Sequence, residues 1–317
     1  MRTDLKFRSC AVCLRNHNGT DRIYKVKLYI KSMLVVTAAS ALLSPPLSAA
    51  VTGANRGLGL ALADQLAAAG VNVLLTTRSG RETSRPAEVQ LLRRGHRGVE
   101  AYDAPLDVSN PISRAAFIDY CDQRGGLDII INNAAICSEG WSMDVVRQTL
   151  RTNVLGPIAL THGLLPGMLH RRRGFVINIS SGDGELVYLS TALQEELRIT
   201  SSSRQLLRLL ACASPPRNAF GSAPAHGPTP AYCISKAALN AATQLVAQAL
   251  PAPTDCGVWV GAVCPGDVLT RMCTAREAAL TPEAAAADVI WLLERQLAEG
   301  CALPSGRFWR AREQISL

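Results

Sequence analysis

A glycine-spaced turn between an apolar run and a helical stretch constrains the fold of this chain more than any other feature. Residues 47–52 are apolar enough for a buried strand, and helical periodicity resumes at residue 58. Between them, Gly53, Gly57 and Gly59 permit a tight turn, and the first N–H groups of the following helix face whatever binds there. The sequence predicts a strand, a phosphate-binding loop and a helix. The alternative is a purely structural turn.

Short apolar runs alternate with helical stretches along the rest of the chain. Further strands are predicted at residues 71–77, 99–108, 127–132, 174–181 and 258–264, with a last edge strand at 306–309. One helix is predicted over 141–168 and another over 232–250. This alternation indicates an α/β protein, a Rossmann-type doubly wound parallel sheet of about seven strands, forming a single domain over residues 47–317. Its ligands would bind beyond the carboxyl ends of the strands.

Residues 1–46 form an N-terminal extension of different composition. Residues 1–50 hold eight Lys or Arg and two Asp, so they carry +6 of the formal charge of +8. The rest is nearly neutral, and we expect no nucleic-acid partner. No strand or helix signal precedes the apolar run 33–43, which is too short for a stable membrane span and suits a targeting segment. We expect a cytoplasmic protein and leave organelle import open; an unstructured extension or a start site placed too far upstream are the alternatives.

The ten cysteines are scattered through apolar contexts rather than spaced as a framework. Examples are Cys121, Cys137, Cys233 and Cys264. Such positions are typical of reduced, buried thiols, so no disulfides are expected. Cys10-x-x-Cys13 with His17 supplies half the ligands of a zinc site, and no second pair follows. We therefore predict no metal.

Six motifs follow one another along the chain. They are Thr52-Gly53-x-x-x-Gly57-x-Gly59, Asn132-Asn133-Ala134-Ala135, Asn153, Ser181, Tyr232-x-x-x-Lys236 and Pro265-Gly266-x-Val268-x-Thr270. With this set, in this order, the chain resembles the short-chain dehydrogenase/reductase family over about residues 47–310. Ala135 departs from the Gly of many relatives by one methyl group.

The predicted catalytic residues are Asn153, Ser181, Tyr232 and Lys236. Tyr232 and Lys236 are four residues apart, so both project from one face of a helix. A nearby ammonium favours the phenolate, which would bring the pKa of Tyr232 closer to neutrality and let it protonate a carbonyl oxygen. The resemblance implies that Lys236 also holds the nicotinamide ribose, Ser181 positions the carbonyl, and Asn153 joins a proton relay through a water. The alternative for each is an ordinary structural role.

The residue after the second strand bears on the choice of cofactor. An acid there would repel a 2′-phosphate, but the sequence reads Thr77-Arg78, and Arg56 adds a second guanidinium. NADP(H) is therefore the predicted cofactor, unless Arg78 is only a solvated strand end. The predicted cofactor-binding residues are Gly53, Asn55, Arg56, Gly57, Leu58, Gly59, Arg78, Asp107, Val108, Asn133, Ala134, Ala135, Tyr232, Lys236, Pro265, Gly266, Val268 and Thr270.

A long insert, residues 182–231, separates Ser181 from Tyr232. Its leucines recur at helical spacing, at Leu193, Leu197, Leu206, Leu207 and Leu210. It resembles the insert of the monomeric carbonyl-reductase branch, with the plant menthone- and salutaridine-type reductases, where it covers the face that other relatives use to oligomerise. We predict a monomer that reduces an aldehyde, ketone or quinone with NADPH. The alternatives are a catalytically silent NADP-binding redox sensor of the same fold and a membrane-associated retinol or sterol dehydrogenase.

Overall fold

The computed structural model describes residues 10–15, 21–26, 46–215, 219–220, 224–225, 227–272, 279–298 and 303–315. The chain divides into two units, Met1–Ser44 and Pro45–Leu317. In the first, β1 (Cys10–Arg15) and β2 (Asp21–Val26) pair antiparallel, with Cys10 opposite Val26. The sequence predicted no strand before residue 33, and this was wrong. Whether a short segment forms an antiparallel strand depends on the segment that it pairs with, which its own residues do not show. The apolar run 33–43 and His17 lie outside the described residues.

The second unit is built on an eight-stranded sheet. Its strands are β3 (Ser48–Thr52), β4 (Asn72–Thr76), β5 (Val99–Ala101), β6 (Ile129–Asn132), β7 (Gly174–Ile179), β8 (Val258–Cys264), β9 (Phe308–Arg310) and β10 (Glu313–Ile315). Their order is β10-β9-β8-β7-β6-β3-β4-β5, and every neighbouring pair is parallel except β9 and β10. The chain winds outward from β3 to β5 and returns to β6 on the other side of β3. This confirms the doubly wound α/β fold and places a ligand crevice between β3 and β6.

The central strands are buried on both faces. β6, β7 and β8 have no exposed residue, which explains why they read as continuous apolar runs. Alternate side chains enter two separate cores: Ile129, Ile131 and Ile177 pack on one face, and Ile130 and Val176 on the other. Both layers of the fold therefore rest on this part of the sheet.

Ten α-helices accompany the sheet in the described part of the chain. They are α1 (Gly57–Ala68), α2 (Arg81–Arg93), α3 (Pro111–Gln123), α4 (Met143–Leu150), α5 (Gly156–Arg171), α6 (Thr191–Ile199), α7 (Ser203–Ala213), α8 (Pro230–Gln248), α9 (Pro253–Cys256) and α10 (Pro282–Ala298). Thr281 caps α10 as its sequence suggests, because its Oγ1 accepts a hydrogen bond from Ala284 N at 3.2 Å. Of these helices, none has the length and hydropathy to cross a bilayer.

Three elements differ from the sequence-based expectation. The helix expected over 141–168 is divided into α4 and α5 by a π-helical segment, Arg151–Leu155, whose wider turn leaves little trace in apolar spacing. The strand expected over 99–108 ends at Ala101, and Pro105, which has no N–H to donate to a ladder, prevents its continuation to residue 108. β10 rather than β9 forms the edge of the sheet.

The insert packs its apolar side on α8. Leu193, Leu197, Leu206 and Leu210 are buried in one cluster with side chains of α8 and with Val154 of the π-helical segment. Leu207 is 47% exposed, contrary to its expected place on the buried side, because Leu206, Leu209 and Leu210 occupy the inward stripe of α7. α6 and α7 therefore cover a face of the helix that carries Tyr232 and Lys236.

Candidate active site

The glycine turn between β3 and α1 has a backbone that other residues would not adopt easily. Gly53 and Gly57 have φ angles of +68° and +53°. A Cβ on Gly59 would lie 2.3 Å from Gly53 O and 2.7 Å from Asn133 Nδ2. The turn is thus tightly packed. The position of Gly59 is required by its contact with Gly53 and Asn133, as well as by any ligand that binds there.

The end of β6 is fastened to this turn by hydrogen bonds. Thr52 Oγ1, which is buried, accepts bonds from the backbone N–H groups of Asn133 and Ala134, each at 2.9 Å. Asn133 Nδ2 donates to Thr52 O at 2.9 Å. The side chain of Asn133 therefore holds the turn in place. Thr52 holds the turn in place as well, through the two hydrogen bonds that its hydroxyl accepts. It belongs to the first motif but was not predicted as a site residue.

Arg56 and Arg78 lie at the same edge of the sheet. Arg56 occupies the N-cap position of α1, and Arg78 follows β4, which pairs with β3 so that Thr52 lies opposite Thr76. Both arginines are exposed, and within the described ranges neither has an ion-pair partner. Two uncompensated guanidinium groups therefore flank the glycine turn, an arrangement suited to a phosphate.

Asp107 and Val108 follow β5 at the next position along this edge. Asp107 Oδ1 accepts hydrogen bonds from the N–H and the hydroxyl of Ser109, at 2.9 and 2.7 Å. Val108 is buried, and a Cβ on Gly156 would lie only 2.7 Å from its carbonyl oxygen. One oxygen of the Asp107 carboxylate is thus hydrogen-bonded to Ser109. Helix α5 packs directly against the backbone of Val108.

The loop after β8 reaches the glycine turn from the other side. Gly266 has a φ of +76°, which allows the chain to reverse after Pro265. Val268 bridges to Leu280, and Thr270 lies close enough to Gly57 that a Cβ there would be 3.2 Å from its Cγ2. Residues 273–278 of this loop lie outside the described part of the chain. The last motif is therefore brought to the first in space.

Tyr232 and Lys236 lie on α8 beside the end of β7. Both are buried, and Lys236 Nζ lies 5.4 Å from the centroid of the Tyr232 ring. Nζ donates a hydrogen bond to Ile179 O at 2.7 Å, which fixes the lysine under the loop that carries Ser181. The two side chains share one helix face, as their spacing predicts.

Burial controls the charges of this pair. It lowers the pKa of Lys236 to about 8. It also raises the pKa of Tyr232 well above its ordinary value, and hydrogen bonding with Ser181 opposes this only in part. The sequence argument from a neighbouring ammonium pointed towards a lower tyrosine pKa, but burial outweighs it here. The phenol therefore holds its proton at neutral pH.

Asn153 lies in the π-helical segment and connects two parts of the site. Its Nδ2 donates to Ile136 O at 2.8 Å and to Ser235 Oγ at 3.0 Å, while its Oδ1 accepts from Ile136 N at 2.9 Å. Ser235 Oγ in turn donates to Tyr232 O at 2.7 Å. The Asn153 side chain thus joins the loop after β6 to α8. Both N–H groups of the Asn153 side chain donate hydrogen bonds within the protein. A proton relay through a water at Asn153 stays a prediction.

Sequence reasoning missed several residues of this site. Ser235 is fully buried, and its only signal was its place between Tyr232 and Lys236. Asp183 and Cys137 also act on the charges of Tyr232 and Lys236, and Asp267 acts on that of Asp183. Asp183 raises the pKa of Tyr232, and burial raises the pKa of the Cys137 thiol. No spacing rule marks these three residues, because different loops bring them together.

The fold and this crevice define the chain as a Rossmann-type α/β protein. A family model described as "short chain dehydrogenase" matches residues 48–193. Over 307 residues the chain is 31% identical to short-chain dehydrogenase/reductase 1 of Saponaria officinalis, which covers 87% of this chain and 97% of the relative. The chain belongs to the short-chain dehydrogenase/reductase family and is an oxidoreductase of that family.

Solved structures share the fold at lower sequence identity. Salutaridine reductase from Papaver somniferum superposes with a TM-score of 0.70 at 24% identity, covering 83% of this chain and 99% of its own. An NADPH-bound carbonyl reductase from chicken fatty liver superposes with a TM-score of 0.63 at 24% identity, covering 86% and 100%. Both align with this chain over almost their whole length. The resemblance to this family is confirmed, and salutaridine reductase is among the proteins that share the fold.

Proposed function

We propose that this protein reduces a carbonyl compound, an aldehyde, ketone or quinone, to an alcohol with NADPH, and that Tyr232 is the proton donor. One observation supports this most strongly: a buried, protonated phenol lies with an ammonium on one helix face and with a serine hydroxyl in hydrogen-bonding range. Such a set suits protonation of an oxygen atom on which negative charge develops. The names of the similar proteins agree with this class of reaction.

The residues of the crevice fit a phosphorylated dinucleotide. Helix α1 begins at the glycine turn, whose φ angles and close packing bring backbone to the ligand, and Arg56 and Arg78 are available for a 2′-phosphate. The loop from Pro265 to Thr270 would close the site over the cofactor. When bound, NADPH supplies the hydride. The chain's own groups bind and orient it, and Lys236 is placed to hold the ribose hydroxyls.

Two side chains then act on the substrate, and two others act on Tyr232. Tyr232 Oη gives its proton to the carbonyl oxygen, and the Ser181 hydroxyl donates a hydrogen bond to the same atom. Because Lys236 has a pKa of about 8, it is largely an ammonium at neutral pH and favours negative charge near Tyr232. Asn153 holds the loop after β6 and α8 in register, so that Tyr232 faces the crevice.

The experiment that tests this function uses a panel of aldehydes, ketones, quinones, retinoids and sterols. Each is incubated with NADPH and separately with NADH, and the reaction is followed at the nicotinamide absorbance band. We expect NADPH oxidation with at least one class of carbonyl and much less with NADH. Binding of NADPH without turnover of any compound would favour the redox sensor, and turnover of retinoids or sterols alone would favour the third alternative.

A Gly59→Ala substitution should weaken cofactor binding because the new methyl group would overlap Gly53 O and Asn133 Nδ2. The turn must open to admit it, so we expect a rise of at least tenfold in the Kd for NADPH and a loss of about 1–3 kcal/mol in the free energy of unfolding. Gly70→Ala is the control, because nothing lies within 4 Å of that position. It should cost stability through its positive φ alone and leave the Kd unchanged.

We propose that residues 47–317, with the insert 182–231, form the catalytic unit and that residues 1–46 are dispensable for turnover. Every predicted site residue lies in the unit that begins at Pro45. A chain beginning at Pro46 should therefore bind NADPH and reduce substrate at the full-length rate. Loss of cofactor binding on truncation would assign the extension to the fold.

We also propose that the protein is a monomer. The insert buries Leu193, Leu197 and Leu206 against α8, so this face of the helix is not available for packing on a second chain. Light scattering at micromolar concentration should give the mass of one chain. A dimer or tetramer would contradict this and make the insert an interface. Leu207→Ser, which changes an exposed leucine of α7, should then alter the mass.

A further inference from the structure

The end of β9 contacts the turn that carries Ser181. Ser181 is the N-cap of a single 3-10 turn, Gly182–Gly184, and Glu185 is the C-cap of that turn. Arg310, the last residue of β9, forms an ion pair with the Glu185 carboxylate across 125 positions of the chain. The proposed reaction uses neither of these charged side chains. The ion pair therefore joins the edge of the sheet to the serine turn by a contact that still needs a role.

β9 gives Arg310 a fixed position at the carboxyl edge of the sheet. The two residues before it, Phe308 and Trp309, are buried, so the backbone of this strand is held by its packing. In the register of the sheet, Arg310 lies opposite Cys264, the last residue of β8. β8 pairs in parallel with β7, the strand that leads to Ser181. The carboxyl ends of the three strands meet at one edge, so Arg310 is brought to the serine turn by the fold itself.

The ion pair packs against the residue that follows Ser181. A Cβ on Gly182 would lie 3.5 Å from Arg310 Nη1 and 3.6 Å from Glu185 Oε1. The sulfur of Cys264, a buried residue, would be 4.0 Å from the same Cβ. These are ordinary van der Waals separations, so the three groups surround the Cα of Gly182 without overlap. The turn therefore rests on the ion pair at the residue next to the serine.

The turn has a second contact, with α8. A Cβ on Gly184 would lie 2.8 Å from a backbone carbon of α8, so this glycine packs directly on the helix. Asn240 Nδ2 donates to Gly184 O at 3.4 Å, which is a long hydrogen bond. Within the turn, Gly184 N donates to Ser181 O at 3.0 Å, and Glu185 N donates to Gly182 O at 2.9 Å. The turn is thus a short, internally bonded unit that packs on α8 and on the ion pair.

These two contacts restrain different residues of the turn. The contact with α8 fixes Gly184, whereas the ion pair restrains Gly182 and the side chain of Glu185. Ser181 directly precedes Gly182, so its position depends more on the ion pair than on the contact with α8. A hydrogen bond to a developing alkoxide stabilises the transition state only if its donor is already in place. Restraint of this end of the turn therefore bears on the reaction.

We propose that Arg310 is a positioning residue for Ser181: its ion pair with Glu185 restrains the 3-10 turn, so that the serine hydroxyl lies where the carbonyl oxygen binds. This rests on the proposed function, because it assigns a role within the same reaction. Both side chains of the pair are partly exposed, so its effect on the stability of the whole protein is small. No motif marks Arg310, since only the register of β9 on β8 brings it to the turn.

The test measures kcat and KM at saturating NADPH in the wild type, Arg310→Gln and Glu185→Gln. Each substitution removes the ion pair and keeps a polar side chain. We expect kcat to fall about fivefold in each variant, which corresponds to about 1 kcal/mol. KM and the Kd for NADPH should change little, because the bond from Ser181 strengthens as charge develops on the oxygen. The double variant Arg310→Gln/Glu185→Gln should be no slower than either single variant.

Arg312→Gln is the matched control. Arg312 is two residues further along the chain and pairs with Asp288 of α10; its side chain is 46% exposed, against 45% for Arg310. This variant should lose a similar amount of stability and keep the wild-type kcat. Arg310→Lys keeps the charge and should retain most of the activity. A fall in kcat in Arg312→Gln as large as in Arg310→Gln would show a general effect of charge loss and overturn the proposal.

A cycle with Ser181→Ala tests whether Arg310 acts through the serine. Without the hydroxyl there is nothing for the turn to position, so Arg310→Gln should lower kcat no further in this background. A further fivefold fall would mean that Arg310 acts on the reaction by another route, and the proposal would be wrong. A role in folding alone would not produce this dependence on Ser181.

Amide hydrogen exchange follows the turn without turnover. The N–H groups of Gly184 and Glu185 are bonded within the turn, so their exchange reports on its opening. It should be about fivefold faster in Arg310→Gln and in Glu185→Gln than in the wild type, and unchanged in Arg312→Gln. If the wild type reduces no carbonyl compound, the proposed function fails, while this comparison still shows whether the ion pair restrains the turn. Unchanged exchange in both variants of the pair would overturn the proposal.

Discussion

Tyr232→Phe should retain NADPH binding and lose nearly all carbonyl reduction. The phenol gives up its proton only as the carbonyl oxygen becomes negative, so its loss should lower kcat and kcat/KM together, by about 10²–10⁴-fold. The ring itself is buried, and phenylalanine fills the same space beside Lys236. The Kd for NADPH, measured by fluorescence, should change little.

The control for this substitution is Tyr120→Phe. The hydroxyl of Tyr120 donates a hydrogen bond to Glu100, so the substitution removes one partly buried hydrogen bond from the protein. That variant should lose some stability and keep its kcat. Near-normal turnover in Tyr232→Phe would show that another group protonates the carbonyl. A large loss of NADPH affinity would show instead that the phenol hydroxyl is part of the cofactor site.

Those parts of the fold that depend on local chemistry could be predicted from the sequence. The glycine turn is one, because positive φ angles at Gly53 and Gly57 select glycine. Thr281 before Pro282 is another, because an N-cap and a first-turn proline define a helix start within two residues. The central strands followed from their apolar runs, since β6, β7 and β8 are covered on both faces.

The parts that depend on distant partners could not be predicted. β10 is a strand only because Glu313 to Ile315 pair with β9, and its sequence has little β propensity. Asn153 has a recognisable position, but the three hydrogen bonds that use its side chain join segments 17 and 82 residues away. The pKa of Tyr232 depends on how deeply the fold buries the phenol, which neighbouring residue types do not reveal.

The choice of cofactor shows how local and distant information combine. Arg78 can be recognised as a candidate from its position directly after a strand. Arg56 becomes a second candidate because β3 pairs with β4, which brings the ends of the two strands together. Ala54 N also donates to Thr76 O at 3.0 Å, so the glycine turn is fixed to the end of β4. One site with two guanidinium groups is therefore expected, rather than two separate surface charges.

Arg78→Asp should reverse the preference of the protein from NADPH to NADH. The substitution removes a cation that has no ion-pair partner in the described ranges and introduces repulsion towards a 2′-phosphate. Losing a charged hydrogen bond and adding a like charge should change the ratio of the two Kd values on the order of 10²–10³-fold. The aspartate can also accept bonds from the ribose hydroxyls of NADH. The measurement is the Kd of each cofactor by fluorescence titration.

Two further variants separate this effect from a general change in charge. Arg56→Ala should weaken NADPH by about tenfold and leave NADH nearly unchanged, because it removes a phosphate contact without adding repulsion. Arg93→Asp makes the same change of charge at the far end of α2, where it should alter neither Kd. The proposal is wrong if the unmodified protein already prefers NADH, or if Arg93→Asp changes the two Kd values as much as Arg78→Asp does. Either result would mean that the two guanidinium groups do not bind the 2′-phosphate. Arg56 and Arg78 would then be ordinary surface residues.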